Sequence, residues 1–359
     1  MTPTRPTTEY ENNLQVLRFV AAAVVLITHI TFYLHERVDP GLHIWHVGEA
    51  GVPLFFVISG FVMALSGSRL ERNAEGAAYF LRKRVARIFP LYWVITTFKV
   101  AIAIAVPAAV LHNRPDILHT LGSYFLIPMT NSEGDVRPIH GVAWTLLHEM
   151  LFYYIFSLSL LLRQKPVLFS SGIVISMCAL ALFVSPQTAV SRVCLNGINL
   201  LFVAGMFLAS MYKRGHRLPR YGAAVALSAG IICIASDDVS VFLHRLFPNF
   251  NIGAVLIVAA LLSIEFTFAP TLKAFFVRLG GGSYSLYLIH PIVAPAICVV
   301  LFKMHVHSIP ILILATFSVS VFLGQCVFKW IENPLSRRAA DFLNKLTGPQ
   351  PGLSLAGKE

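Results

Sequence analysis

The sequence predicts an all-α integral membrane protein, a bundle of about ten transmembrane helices with both termini in the cytoplasm. Of its 359 residues, 56% are hydrophobic and only 13% are charged. Soluble globular domains carry about 25% charged residues, so this chain lacks the charge to cover a water-exposed surface. Its mean hydropathy of +0.71 points the same way. A soluble two-domain enzyme, the class that chain length alone favours, is therefore excluded.

Apolar runs of span length occur ten times along the chain. A transmembrane helix needs about 20 predominantly apolar residues. The predicted spans are residues 14–34, 50–67, 88–110, 144–162, 167–184, 195–212, 221–236, 252–268, 284–302 and 309–330. Residues 117–128 form a shorter apolar segment, which we predict to be re-entrant or interfacial. One transmembrane domain is expected over residues 1–338, followed by a disordered cytoplasmic tail over 339–359.

The distribution of lysine and arginine predicts the orientation of these spans. Of the 28 basic residues, 21 fall on one side of the predicted bundle and six on the other, with Lys99 inside a span. The positive-inside rule places the richer side in the cytoplasm. The net charge of +11 is then explained by topology and by contact with the lipid bilayer, and no nucleic-acid partner is expected. We expect a multi-pass protein of the cell inner (plasma) membrane.

The first predicted span contains two ionisable side chains, Arg18 and His29. Their separation is about three helical turns and about 16 Å, so they lie on nearly the same face. Arg18 would lie near the cytoplasmic end and His29 nearer the outer side. Ionisable residues inside a span are costly and mark functional sites. The alternative is that Arg18 extends to the lipid headgroups and His29 is an ordinary hydrogen-bonded histidine. The pair on one face favours function.

A basic cluster precedes the third predicted span in the segment YFLRKRVARIFPLYW. Arg84 and Arg87 share one helix face at the i,i+3 spacing. Arginine forks match phosphate oxygens, so the pair could clamp an anion. The alternative is a topology anchor with an aromatic belt, and residue type alone favours that anchor.

The fourth predicted span carries one polar stripe, Thr145, Glu149 and Tyr153, at i,i+4 spacing. A carboxylate in a membrane needs a partner or a water-filled cavity. A glutamate can also orient an imidazole or make it more basic. No metal site is expected, because Phe152 stands where a zinc-binding HExxH motif needs its second histidine.

Polar and small side chains within other spans have an ordinary structural explanation. Ser285, Tyr287 and His290 lie at the start of the ninth span, where each could satisfy a neighbouring backbone group. In the second span, Gly60 predicts a close helix approach, and Ser59 is expected to be structural.

Six of these segments, in order and spacing, resemble the membrane-bound acyltransferase-3 family of bacterial O-acyltransferases, in particular its polysaccharide-modifying members. They are LQVLRFVAAAVVLITHI, GEAGVPLFFVISGFVM, RVARIFPLYW, WTLLHEMLFY, SYSLYLIHP and WIENP. The resemblance extends from Leu14 to Arg338. It departs at Pro53 and Met150, where many members have acidic residues, and this places the chain nearer the exopolysaccharide acetyltransferase type.

The resemblance implies transfer of an acyl group from acyl-CoA to a hydroxyl of a cell-surface or exported polysaccharide. Acetyl is the acyl group that we expect. Acetyl-CoA would be a co-substrate, and no cofactor would be permanently bound. The implied catalytic residues are His29, as general base or covalent acyl carrier, and Glu149, which would orient His29 or contact the acceptor. The implied acyl-donor-binding residues are Arg18, Arg84 and Arg87. Candidates for acceptor binding or support are Trp144, Tyr153, Ser285, Tyr287 and His290.

Two other classes of membrane protein could also use such residues. A transporter or flippase for a glycan or lipid-linked precursor would carry buried arginine, histidine and glutamate. The hydropathy pattern shows neither an inverted repeat nor a pair of matching broken helices, which argues against this class. A scaffold subunit for polysaccharide assembly would have no need of His29.

Overall fold

The computed structural model describes residues 9–106, 116–236, 249–264 and 269–347, which are helical with no β-strand among them. The helices are α1 (Glu9–Arg37), α2 (Gly51–Gly67), α3 (Ala74–Ala105), α4 (Ile117–Tyr124), α5 (Trp144–Leu161), α6 (Pro166–Leu180), α7 (Ala189–Cys194), α8 (Leu200–Lys213), α9 (Arg220–Ala235), α10 (Asn249–Leu261), α11 (Pro270–Gly281), α12 (Ser283–Lys303), α13 (Ile309–Val327) and α14 (Asn333–Thr347). The predicted all-α class is confirmed for these residues.

Each of the ten predicted spans overlaps a helix, although the helices differ in length. Six are long and apolar enough to cross a membrane: Tyr10–Arg37, His46–Gly67, Ala74–Ala105, Gly141–Leu161, Ser283–Lys303 and Ile309–Lys345. The four shorter apolar helices are Pro166–Leu180, Gly197–Lys213, Arg220–Ala235 and Phe250–Leu261. Ten crossings with both ends in the cytoplasm therefore remain a prediction.

The basic cluster before the third predicted span belongs to a helix. α3 begins at Ala74, well before the predicted start at residue 88, because Asn73 caps it by accepting a 2.7 Å hydrogen bond from the backbone N–H of Gly76. Pro90 lies inside this helix. The helix thus extends beyond its apolar segment and carries Arg84 and Arg87 on regular helical backbone.

Glycines allow the helices around the second span to pack at backbone contact. A Cβ on Gly60 would overlap the carbonyl of Phe202 in α8, and one on Gly205 would overlap the carbonyl of Val57 in α2. The two glycines thus allow α2 and α8 to approach closely, as small residues do between membrane helices. The close approach predicted at Gly60 is confirmed.

The segment predicted to be re-entrant or interfacial contains a short helix, α4. Its N-terminus is capped by Asp116, which accepts a hydrogen bond from the N–H of His119. Tyr92 of α3 donates a 2.6 Å hydrogen bond to the carbonyl of Ser123, and Trp93 donates one to the carbonyl of Tyr124. With eight residues, α4 is far shorter than a span and rests on α3.

The start of the predicted tail corrects the expectation of disorder. Residues 339–347 continue α14, which follows α13 through a π-helical turn at Phe328–Glu332. Arg82 of α3 donates a hydrogen bond to the carbonyl of Leu343, so this part of the tail has a tertiary contact. The expectation followed from the low hydropathy of these residues and missed their helical periodicity. Residues 348–359 lie outside the described part of the chain.

Candidate active site

α1 carries Arg18 and His29 into two different cavities of the bundle. Arg18 lines a cavity of about 100 Å³ with Ser59, Arg87 and Glu149, which we call the narrow cavity. His29 lines a cavity of about 800 Å³, which we call the wide cavity. Because the two residues are about three turns apart on one helix, the cavities follow each other along α1.

The narrow cavity collects charged side chains from three helices. Arg18 comes from α1, Arg87 from α3 and Glu149 from α5. The Glu149 carboxylate accepts a 3.3 Å hydrogen bond from Ser59 Oγ and a second from the Tyr153 hydroxyl. Two cations and one hydrogen-bonded carboxylate give the cavity a net positive charge, which suits an anionic ligand.

Arg84 lies beside the narrow cavity and is not among its lining residues. Its guanidinium is stacked over the rings of Phe80 and Tyr153, at 5.4 and 5.6 Å from their centroids. Its Nη2 atom donates a 3.4 Å hydrogen bond to Ser66 Oγ. The helical spacing predicted for Arg84 and Arg87 is therefore present, but Arg87 is the member that faces the cavity.

The wide cavity exposes the imidazole of His29 to a space of ligand size. His29 Nδ1 lies 2.9 Å from the carbonyl oxygen of Val25. A carbonyl oxygen can only accept, so the neutral ring carries its proton on Nδ1 and leaves Nε2 unprotonated. Volumes of about 300–1,000 Å³ are typical of small-molecule sites. The arrangement therefore supplies a proton acceptor beside room for a substrate.

The ring of His290 packs directly on His29. Their centroids are 4.7 Å apart in an edge-to-face arrangement, and His290 is only 1% exposed. Tyr287 lies on the other side of His290, at a centroid distance of 5.7 Å. The Tyr287 hydroxyl lies 3.1 Å from Thr145 Oγ1 and donates a hydrogen bond to the carbonyl of Val142.

Ring contacts and hydrogen bonds of Tyr287 and His290 link residues of the two cavities. Tyr287 and Thr145 line the narrow cavity, whereas Val142 lines the wide one. The structure thus brings three predicted site residues, His29, His290 and Tyr287, into one row of contacting rings.

Glu149 and His29 face different cavities. The hydrogen bonds described for the Glu149 side chain come from Ser59 and Tyr153, and the one described for His29 goes to Val25. Arg18 shares the cavity of Glu149. The structure therefore associates this carboxylate with the predicted donor-binding arginines, and Tyr153 supports it.

The remaining predicted residues occupy supporting positions. Trp144 lines neither cavity, and its ring meets that of His148 edge to face at 5.7 Å. Ser285 is fully buried and donates a 2.5 Å hydrogen bond to Glu332 Oε2 at the π-helical turn. That bond fixes the start of α12 to the π-helical turn that follows α13.

Sequence reasoning missed two side chains that take part in these arrangements. Ser59 was expected to be structural, yet its hydroxyl binds Glu149 within the narrow cavity. Glu332 is 7% exposed and accepts the hydrogen bond of Ser285. The signal for Glu332 was its place in WIENP, a carboxylate directly after an apolar helix. For Ser59 the sequence gives no such signal, because serine is common in membrane helices.

Known proteins are similar in sequence to this chain over most of its length. A family model described as "Acyltransferase domain", that of the acyltransferase-3 family, matches residues 11–329. The exopolysaccharide production protein ExoZ of Rhizobium meliloti (strain 1021) is 31% identical over 305 residues, covering 82% of this chain and 92% of ExoZ. The acyltransferase MdmB of Streptomyces mycarofaciens is 29% identical over 319 residues, covering 77% of each chain.

A shorter match is nodulation protein 10 of Rhizobium leguminosarum bv. viciae, 31% identical over 167 residues, 40% of this chain and 42% of that protein. No solved structure matches the chain. The family match covers every residue that lines the two cavities, from Arg18 in α1 to Val300 in α12. The chain is thus a membrane protein that belongs to the acyltransferase-3 family.

Proposed function

We propose that this protein is a multi-pass O-acyltransferase of the inner membrane that moves an acetyl group from acetyl-CoA to a hydroxyl of an exported polysaccharide. The observation that carries the proposal is the position of His29, whose ring lines a cavity of about 800 Å³ and carries no proton on Nε2. The ring is held by one hydrogen bond through Nδ1, so Nε2 is available for proton transfer.

The acyl donor is proposed to bind at the narrow cavity. Acyl-CoA is anionic at its nucleotide end and slender along its pantetheine arm. Arg18 and Arg87 supply cationic forks for phosphate oxygens, and arginine binds such oxygens in a bidentate manner. Arg84, stacked over Phe80 and over Tyr153, adds positive charge beside the cavity. In the proposed topology, with both ends in the cytoplasm, Arg18 lies near the cytoplasmic end of α1 and therefore near the compartment that contains acetyl-CoA.

The transfer itself needs one proton acceptor. His29 Nε2 removes the proton of the sugar hydroxyl as its oxygen attacks the thioester carbonyl, and the C–S bond breaks. The thiolate of CoA leaves and takes the proton from His29. That is the direct route. In a second, covalent route, the acetyl group is first carried on Nε2 as an acyl-imidazole and then passes to the sugar. Both routes yield an ester and CoA–SH, and both need the same nitrogen.

Glu149 is proposed to act at the donor cavity. Its carboxylate lies with Arg18 and Arg87 and is held by Ser59 and Tyr153. A fixed carboxylate orients guanidinium groups and limits their mutual repulsion. Glu149 is thus a positioning residue for the arginines.

Two relatives support the acceptor and the reaction. The name of ExoZ places it in exopolysaccharide production, and that of MdmB calls it an acyltransferase. The first suggests a polysaccharide acceptor for this chain, and the second suggests acyl transfer as the reaction.

Incubation of the purified full-length protein in lipid nanodiscs with radiolabelled acetyl-CoA and glycans of the native cell tests the proposal. We expect the glycan to become radiolabelled and mild alkali to release that label, because acetyl esters are base-labile and acetyl amides are not. Radiolabelled acyl-CoAs of increasing chain length, supplied in place of acetyl-CoA, establish the acyl group. An unlabelled glycan with every acyl-CoA, together with movement of the glycan across vesicle membranes, would contradict acyl transfer and favour transport.

A further inference from the structure

Lys99 places an ammonium group in the wall of the wide cavity. It belongs to α3, whereas His29 belongs to α1, and both side chains line the cavity. Lys99 is half-buried and makes no hydrogen bond or ion pair with any residue in the described part of the chain. A lysine in a membrane helix is costly unless a partner or water compensates its charge.

The direction of Lys99 argues against a role as a membrane anchor. A lysine that anchors a helix extends along its surface to the lipid headgroups. The neighbouring Phe98 is 52% exposed, while Lys99 lines the cavity that contains His29. The Lys99 side chain therefore borders the space in which a substrate would lie.

Charged side chains of both signs line this space. Arg37, Lys99 and Arg137 line the wide cavity against two carboxylates, Glu36 and Glu133. Arg137 already has a carboxylate partner, with its Nε atom 3.6 Å from Asp135 Oδ2.

Neutral sugar hydroxyls would leave the Lys99 ammonium without a counter-charge in a partly desolvated site, which costs free energy. An anionic group on the ligand would supply that counter-charge.

We infer that Lys99 binds an anionic group of the acceptor, so that this protein selects acidic acceptors and presents their hydroxyl to His29. The anion is a carboxylate of an acidic sugar or a phosphate of a lipid carrier, since an ammonium recognises both as a point charge. The inference rests on the proposed acetyl transfer and adds the chemical class of the acceptor. A cavity of about 800 Å³ has room for a short oligosaccharide with its charged substituent.

The test compares two anionic acceptors with one neutral acceptor. The first is an oligosaccharide containing a uronic acid, and the second is the same oligosaccharide with its carboxyl group reduced to an alcohol. The third is the reduced oligosaccharide linked to a polyprenyl pyrophosphate. Wild-type protein should have a KM about ten- to a hundredfold lower for one of the two anionic acceptors than for the neutral one. Preference for the first identifies a carboxylate, and preference for the third identifies a phosphate.

Variants at Lys99 connect that preference to the ammonium group. Lys99→Met and Lys99→Gln should each remove the preference by raising the KM of the anionic acceptor, while the KM for acetyl-CoA is unchanged. Lys99→Arg should retain most of it. Lys303→Met is the matched control, because Lys303 is exposed at the end of α12 and does not line the cavity.

Equal KM values for all three acceptors in the active wild type would overturn the inference and leave the proposed function standing. So would a preference that survives in both neutral variants. A wild type that transfers no acetyl group to any acceptor would overturn the proposed function and this inference with it.

Discussion

Replacing Arg87 with alanine tests whether the narrow cavity receives the acyl donor. Arg87 is one of two guanidinium groups lining that cavity, so its loss leaves Arg18 alone with Glu149. A hydrogen bond to a charged group contributes about 1.5–3 kcal/mol. Since about 1.4 kcal/mol corresponds to a tenfold change in affinity, the KM for acetyl-CoA should rise about ten- to a hundredfold. Arg87→Lys should recover only part of this, because an ammonium group lacks the bidentate fork.

The assay measures initial rates of acetyl transfer against acetyl-CoA concentration at saturating acceptor. Lys83→Ala is the matched control, since Lys83 is exposed on the same helix and its ammonium lies 4.9 Å from the centroid of the Tyr79 ring. This control should keep the wild-type KM. An Arg87→Ala protein of normal abundance with an unchanged KM for acetyl-CoA would refute the donor site. The basic cluster would then be explained as an anchor that sets the membrane topology.

Three further predictions concern packing, charge and topology. Gly60→Ala should cost about 1–3 kcal/mol, because its Cβ meets a backbone carbonyl of α8. The control Gly172→Ala, in open space within α6, should stabilise by about 0.5–1 kcal/mol. Equal melting temperatures of the Gly60→Ala and Gly172→Ala proteins in detergent would contradict these two predictions. Glu149→Gln should lower acetyl transfer about tenfold or more at normal abundance, since it removes the charge between two arginines; wild-type rates would exclude Glu149 from the site. A reporter fused after Gly215 should lie in the cytoplasm, and one fused after Asn249 should lie on the outer side. Reporters that both lie on the same side of the membrane would disprove the ten-span topology.

The positions of the helices could be predicted from the sequence because apolar runs determine them. All ten predicted spans overlap helices, and the glycine contact at Gly60 follows from the absence of a side chain. The start of α3 was placed too late, since hydropathy does not register a polar helix turn capped by Asn73. Hydropathy likewise missed the helix at residues 339–347.

The pairing of site residues could not be predicted from the sequence. The shared face of Arg18 and His29 follows from helical spacing, but the cavity that each one faces depends on neighbouring helices. Glu149 was expected to orient His29 or contact the acceptor, and the structure places it in the cavity that Arg18 lines, while His29 lines the other cavity. Contacts between helices depend on rotation and crossing angle, which a hydropathy pattern does not specify.

The proposed chemistry depends most directly on one nitrogen, His29 Nε2. Glutamine at this position keeps a hydrogen-bonding group and cannot take a proton at neutral pH. Loss of a general base costs about 10²–10⁴-fold in rate. His35→Gln is a matched control, because His35 lies on the same helix and its Nδ1 atom also lies 2.9 Å from a backbone carbonyl, that of Leu42.

The decisive measurement is the turnover number of purified His29→Gln with acetyl-CoA and the native glycan, beside the wild type and His35→Gln at equal abundance in the membrane. We predict a fall of at least about a hundredfold for His29→Gln and little change for His35→Gln. Wild-type turnover by His29→Gln would show that His29 takes no part in catalysis and would contradict the proposed acyl-transfer mechanism.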